Sequence, residues 1–375
     1  MELLTVEKYQ QEELNAKVYL SNRFIRAFTP NTFLRGGFPD RVYKEQELVR
    51  YIDSQHSECF ERYFKELCKG ITEKEADLLI DTAEKIYFMT QKKYETKILV
   101  KAPLLAALYC KRVVDILANG DLNAHIMEFG AGSGMVGALL LNVGYRYSCT
   151  DVTQAFYLVQ NRILNIFSPL NELCIEEMKA KRNYHVPYWK LWEMRDSFGE
   201  VDIITCNHAL LEMSNSALLF YLRFSYCALK NSRYGYFFFQ GTGWDVEGDI
   251  CSLLNKFKQS GFCLVYYDIN SELAIFSTKG EDITKQVIDC LNSSSQCYES
   301  SKYIPVHGIV KSIQSNNSTI LSNNDIGADI RSLFQKIELD EKLRFDDISR
   351  RFDSICPNTD SPDEEFAKYI NNSRH

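Results

Sequence analysis

An α/β fold with a mostly parallel sheet is what this sequence predicts, on three observations. Strand-like apolar runs alternate with amphipathic helical stretches between residues 125 and 277. The first of these strands ends in glycines at alternate positions, Gly130, Gly132 and Gly134, and a helix follows at once. The last two runs, 262–268 and 273–277, are joined by only Ile269-Asn270-Ser271-Glu272. That link is too short for a parallel crossover, so the two strands must form an antiparallel hairpin.

Taken in order, residues 1–120 read as mostly helical. Thr72 stands as an N-cap with Glu75 three places on, the pattern of a capping box, and Leu78, Leu79, Ala83 and Ile86 keep a helical period behind it. A second helix is expected over 103–117, with Pro103 in its first turn and Gly120 beyond its end. Strands are expected at 125–129, 146–150, 201–206, 235–240, 262–268 and 273–277, and helices at 135–143, 153–167, 216–229 and 247–258. Beyond Lys279 the chain is rich in Ser, Asn and charge. There, 293–295 and 315–322 read as loops, 330–334 and 338–352 as helices, and 357–363 as a flexible stretch. The expected organisation is a helical lid or wall over 1–100, a nucleotide-binding domain over 101–280, and a partly helical extension over 281–375.

Composition narrows the function. The chain has 375 residues, 45% hydrophobic and 25% charged, which is ordinary for a globular protein with one large core or two domains. A net charge of −7 argues against a protein that tracks phosphates, so no nucleic-acid partner is expected. The twelve cysteines are scattered singly with no C-x-x-C, which fits free thiols in a reducing compartment and not a disulfide set or a zinc site. Neither a signal peptide nor an apolar membrane span is visible, and a cytoplasmic location is expected. The oligomeric state stays open.

The most specific segment is Ile126-Met127-Glu128-Phe129-Gly130-Ala131-Gly132-Ser133-Gly134-Met135. Missing side chains let the backbone turn sharply and approach a ligand, and the helix behind offers free N–H groups to an anionic group. Gly132-Ser133-Gly134-Met135-Val136-Gly137 formally matches the G-x-G-x-x-G of dinucleotide enzymes, but it begins two residues late. An acid followed by G-x-G-x-G, here Glu128 and then Gly130, Gly132 and Gly134, resembles the cofactor turn of S-adenosylmethionine-dependent methyltransferases. There the acid helps hold the amino group of the methionine part. Asp151 ends the next strand, where a carboxylate can accept from both ribose hydroxyls; NAD enzymes use the same device. A plain helix-capping role for Asp151 is the alternative.

Two later segments extend the likeness. Asp151-Val152-Thr153-Gln154-Ala155-Phe156-Tyr157-Leu158-Val159-Gln160 follows the second strand, and Cys206-Asn207-His208-Ala209-Leu210-Leu211-Glu212-Met213 follows a later one. With Glu128–Gly134 they resemble the sugar O-methyltransferase family of bacterial polysaccharide clusters, over about 125–245 and the lead-in near 101–117. That family carries an acid-proline-glutamate-leucine-like stretch at the first place and asparagine…glutamate-methionine at the second. This chain departs from it with Val152-Thr153-Gln154 at the one and His208 at the other. The resemblance implies a Rossmann-like class I methyltransferase fold, a seven-stranded sheet ending in the antiparallel hairpin. It also implies S-adenosyl-L-methionine as cofactor and a small-molecule or glycan hydroxyl as acceptor. The cofactor residues would be Glu128, Gly130, Ala131, Gly132, Ser133, Gly134, Asp151, Val152 and Asn207.

Methyl transfer to a hydroxyl needs alignment, exclusion of water and a base. His208, at the carboxyl edge of the sheet, is the candidate base; a hydrogen-bonded structural histidine is the alternative. Glu212 is the candidate to orient it or bind acceptor hydroxyls, against simple capping of a helix starting near Ser214. Gln240 and Trp244 are candidates to line the acceptor pocket, and an aromatic of 184–189 to stack on the purine, against plain core packing. Asp245 and Asp249 lack metal-ligand spacing, so no metal is expected. Rival readings are a methyltransferase of another small molecule, lipid or protein, a non-catalytic S-adenosylmethionine-binding interaction protein, and an NAD(P)-linked reductase.

Overall fold

The computed structural model describes residues 4–30, 39–52, 60–67, 70–168, 183–195, 200–241, 249–268, 272–295, 320–322 and 343–356. Helices α1 (Val6–Tyr19) and α2 (Asn22–Ala27), a 3₁₀ turn (Glu45–Tyr51), and helices α3 (Phe60–Glu66), α4 (Glu73–Tyr94) and α5 (Ala102–Leu117) precede the sheet. Then come β1 (His125–Phe129), α6 (Met135–Val143), β2 (Arg146–Thr150), α7 (Gln154–Phe167), β3 (Tyr184–His185), α8 (Tyr188–Met194) and β4 (Ile203–Thr205). A 3₁₀ turn (Leu210–Glu212), α9 (Asn215–Leu229), β5 (Tyr236–Gln240), α10 (Ile250–Gln259), β6 (Cys263–Asp268) and β7 (Leu273–Ser277) complete the alternation. The C-terminal part adds α11 (Thr284–Ser295), β8 (Ile320–Ser322) and α12 (Phe345–Ile355).

The strands lie in the order β3-β2-β1-β4-β5-β7-β6-β8. The first five are mutually parallel, and β7 inserts antiparallel between β5 and β6. This reversal at the hairpin is the class I methyltransferase arrangement of a Rossmann-like sheet, as expected. The expected seven strands become eight, because Ile320–Ser322 pairs antiparallel with the outer edge of β6. The serines and asparagines of 315–322 predict a loop, and the short strand sits inside that stretch. Likewise 293–295, also read as loop, continue helix α11.

Burial explains the strand composition. β1 is buried along its whole length, as strands covered on both faces must be, and so is β7. At the hairpin end, Phe257 of α10 stacks on Phe276 of β7, with ring centroids 3.9 Å apart. α4 opens with the expected capping box: Glu75 N–H donates to Thr72 Oγ1 at 3.3 Å, and Thr72 N–H to Glu75 Oε2 at 2.9 Å. Glu75 also grips the buried Arg112 of α5 through Nε and Nη2, at 2.7 and 2.8 Å. Arg112 donates further to the Leu67 and Gly70 carbonyls, so one guanidinium ties three helical segments together.

The N-terminal elements are laced to the sheet layer over α7. Ala155 N–H donates to the Asp40 carbonyl at 3.1 Å, Val42 N–H to Gln154 Oε1 at 3.1 Å, and Arg162 pairs with Glu45 at 2.8 Å. Helix α12 packs on the same N-terminal body, with Phe345 and Phe352 against Phe60 and an antiparallel bridge from Leu343 to Ile71. Lys101 and Asp353 form an ion pair there. Among the described residues, no helix is long and apolar enough to cross a membrane, and Cys110, Cys149, Cys206, Cys227, Cys251, Cys263 and Cys356 are free thiols. Expected helix 330–334 and residues 357–363 lie outside the described residues.

Candidate functional site

Register brings the carboxyl ends of four strands to one edge. Phe129 pairs with Thr150, Glu128 with Thr205, and Thr205 with Phe238. Glu128–Gly134, Asp151–Thr153, Cys206–Glu212 and Gln240–Gly241 therefore meet there, the edge where open α/β sheets take ligands.

In the turn, Gly130, Gly132 and Gly134 all have left-handed φ, at 62°, 55° and 82°. A side chain would strain each position. A Cβ on Gly130 would come within 3.1 Å of Ala209 Cβ, and one on Gly134 within 3.3 Å of Gln160 Cγ. On Gly132 it would meet no atom within 4 Å, so this backbone faces open space, a cradle that a ligand can approach. The Ala131 carbonyl accepts from Gly134 N–H at 2.8 Å, and Ser133 and Val152 are half-buried beside the turn. Gly137 has a different task. Tyr147 of β2 fills the space where its side chain would be, 2.4 Å from a virtual Cβ, so helix α6 packs closely on the sheet.

Glu128 is buried, with Oε2 accepting from Tyr147 Oη at 2.6 Å and Oε1 from Asn207 Nδ2 at 3.3 Å. Burial pushes its carboxyl up to about 7, against the two hydrogen bonds and with the Asp151 charge adding. A buried carboxylate with neutral donors alone is the electrostatic complement of a cationic amine. Asn207 ties strands together: its Oδ1 accepts from Gln240 N–H at 3.0 Å and Thr205 Oγ1 at 3.1 Å.

Asp151 is buried as well, and its carboxyl is pushed up to about 6, by burial above all. Oδ1 accepts from Thr153 N–H at 2.8 Å, the N–H of the residue that precedes α7, and no side chain caps that helix; Oδ2 accepts from Gly132 N–H and Gln160 Nε2, both at 3.1 Å. The helix-capping alternative does not hold, and the side chain is instead joined to the glycine turn. Gln160 was missed. Its Nε2 also donates to the Gly132 carbonyl at 2.7 Å, while its Oε1 accepts from His185 Nε2 at 3.1 Å. The available signal was a polar residue on the apolar face of α7, one turn from Phe156 and from Ile163. His185 stacks on Tyr157 at 3.8 Å, and burial pushes its imidazole down to about 3, so it is a neutral donor.

His208 has a left-handed φ of 53° on a residue other than glycine, a strained position of the kind that clusters at functional sites. Its N–H donates to the Gly241 carbonyl at 3.1 Å. Ring Nε2 donates to Gln240 Oε1 at 3.0 Å, which puts the proton on Nε2 and makes Nδ1 the basic nitrogen of the neutral ring. The Nδ1–Cε1 edge faces Gly241, where a Cβ would lie 2.1 Å from Nδ1. Glu212 ends the 3₁₀ turn, half-buried, and the cap of α9 is Ser214, whose Oγ accepts from Ala217 N–H at 3.2 Å.

The aromatics of 184–189 do not stand clear as a purine shelf. Tyr184 and His185 form edge strand β3, and Tyr188 and Trp189 are buried in α8. Core packing accounts for them. Asp249 caps α10, and among the described residues no cluster of His, Cys, Asp or Glu has the form of a metal site. Trp244 and Asp245 lie outside the described residues.

No family model matches the chain, and no curated protein matches it. Among solved structures it is similar to a TehB-like SAM-dependent methyltransferase from Corynebacterium glutamicum, at 17% identity and TM-score 0.32, covering 47% of this chain and 100% of that one. It is also similar to magnesium protoporphyrin IX methyltransferase from Synechocystis with bound SAM, at 10% identity and TM-score 0.33, covering 64% and 99%. A third is phosphoethanolamine N-methyltransferase 2 of Haemonchus contortus in complex with S-adenosylhomocysteine, at 11% identity and TM-score 0.34, covering 64% and 55%. Likenesses this faint say nothing of the reaction; strand order and turn geometry are what define the fold.

Proposed function

We propose that this protein binds S-adenosylmethionine at the glycine turn and transfers its methyl group to a hydroxyl of a sugar or glycan-related small molecule. The observation that carries the reading is the turn itself: three left-handed glycines, with Gly132 open toward the ligand side and its N–H held by Asp151. The donor set fits the cofactor. Glu128, short of a cationic partner, would take the methionine ammonium with Asn207 beside it, and the N–H groups of Ala131 and Ser133, with those of Gly132 and Gly134 engaged inside the turn, would suit its carboxylate. Asp151 and Val152 would border the nucleoside.

When bound, the cofactor supplies an activated methyl group on a good leaving group, so the protein's work is placement and one proton. His208 would take that proton at Nδ1, with Gln240 fixing the tautomer and Gly241 the ring position; Glu212 would steer the acceptor hydroxyl. A second reading, binding without turnover, is favoured by the close approach of Gly241 to the basic edge of that ring. Calorimetry with S-adenosylhomocysteine tests the cofactor, and turnover with hydroxylated acceptors tests the chemistry. Silence in the first sinks the assignment, and binding without turnover selects the second reading.

A further inference from the structure

Two buried polar atoms by the first turn of α7 have no hydrogen-bond partner among the described residues: Tyr9 Oη and Gln154 Nε2. An unpaired buried donor or acceptor is destabilising, so two at one place call for a missing partner. Their proximity follows from the contacts around them. Gln10, next to Tyr9, donates to the Val42 carbonyl at 3.4 Å, and Val42 N–H donates to Gln154 Oε1 at 3.1 Å. The Tyr9 ring itself is wedged between Tyr157, at 5.3 Å, and Trp189, at 4.9 Å. The charge of Asp151 is felt at the Tyr9 phenol, which burial, then Glu13 and Tyr188, push well above its ordinary value.

We infer that Tyr9 and Gln154 form a polar wall that hydrogen-bonds the nucleoside part of the cofactor, with Tyr9 delivered by helix α1 from outside the sheet domain. The inference rests on the glycine turn being the cofactor seat. Asp151 already receives three protein donors, so hydroxyls of a ribose need further partners, and the Tyr9 hydroxyl and Gln154 amide supply them. Both atoms are sealed from solvent, so the nucleoside enters with α1 displaced and the helix closes on it afterwards.

The test uses the full chain, with S-adenosylhomocysteine and adenosine as probes in titration calorimetry and melting curves without ligand. Tyr9→Phe is expected to weaken both probes about tenfold, the loss of one hydrogen bond. Its ligand-free melting temperature should hold or rise, because an unpaired buried hydroxyl has been removed. Gln154→Leu should weaken the probes similarly. Unchanged affinity in Tyr9→Phe, with wild-type binding intact, overturns the wall and leaves the turn standing. So does a lower ligand-free melting temperature in Tyr9→Phe, which would mean the hydroxyl has a partner in the free protein. No binding by wild type overturns both.

Discussion

Gln160 donates from its side-chain nitrogen to the carboxylate of Asp151, 3.1 Å away. The same nitrogen holds the Gly132 carbonyl, so one amide sets the distance between the glycine turn and the acid after β2. Gln160→Leu keeps the volume and removes both donations, and it leaves the Gly132 carbonyl and the buried Asp151 carboxylate short. The melting temperature is expected to fall by a few degrees and S-adenosylhomocysteine affinity at least tenfold. Full affinity in that variant would mean the turn needs no such lock.

Glu128 and Asp151 make ligand-free stability depend on pH in one direction. Their folded-state carboxyls, at about 7 and about 6, lie above the ordinary 4.5 and 3.8. Stability from the protonated forms is therefore complete below about pH 4 and is lost as pH rises through the folded values. Melting scans from pH 4 to 8 should show this decline, and Glu128→Gln should flatten part of it. A cationic amine beside Glu128 offsets the cost of ionisation, so S-adenosylhomocysteine should bind more tightly as pH rises through 7 in wild type but not in Glu128→Gln. An equal pH dependence in both would remove Glu128 from the amine's neighbourhood.

Gly132 and Gly120 separate backbone strain from ligand contact. Both have positive φ, 55° and 70°, and neither has an atom within 4 Å of a virtual Cβ. Alanine at either site should cost stability similarly, about 1–2 kcal/mol. Only Gly132→Ala should also impair S-adenosylhomocysteine binding, and equal binding by the two variants would place the ligand elsewhere. Gly137→Ala, 2.4 Å from the Tyr147 ring, should destabilise more than either.

His208→Ala is expected to lower methyl transfer at least a hundredfold and leave S-adenosylhomocysteine affinity within twofold. Gly241→Ala pushes against the same ring, so it should reproduce much of that loss with the histidine still present. An active His208→Ala would return the imidazole to a structural role.

Much of this architecture was legible because parallel strands covered on both faces leave short, nearly unbroken apolar runs. The bounds expected for β1, β2 and β7 coincide with those observed. β3 was missed because two residues, Tyr184 and His185, carry no periodicity, and their strand exists through pairing with Ser148 and Cys149. β8 was missed for the same reason, as an edge strand owes its form to its partner β6. At the site, the glycines and the two acids announced themselves by spacing. Gln160, Tyr147 and Tyr9 did not, since their meaning comes from what folding sets beside them: a carbonyl of the turn, the empty side of Gly137, and the start of α7.

Strand β8 has a consequence for any shortened version of the chain. Its pairing with Tyr266, Tyr267 and Asp268 occupies backbone groups that would otherwise lie bare at the margin of the sheet. A fragment ending near residue 280 would present that margin as a template for neighbouring molecules, and would strip α12 from Phe60 and Phe64 as well. Such a fragment should self-associate into insoluble material, with the glycine turn itself untouched.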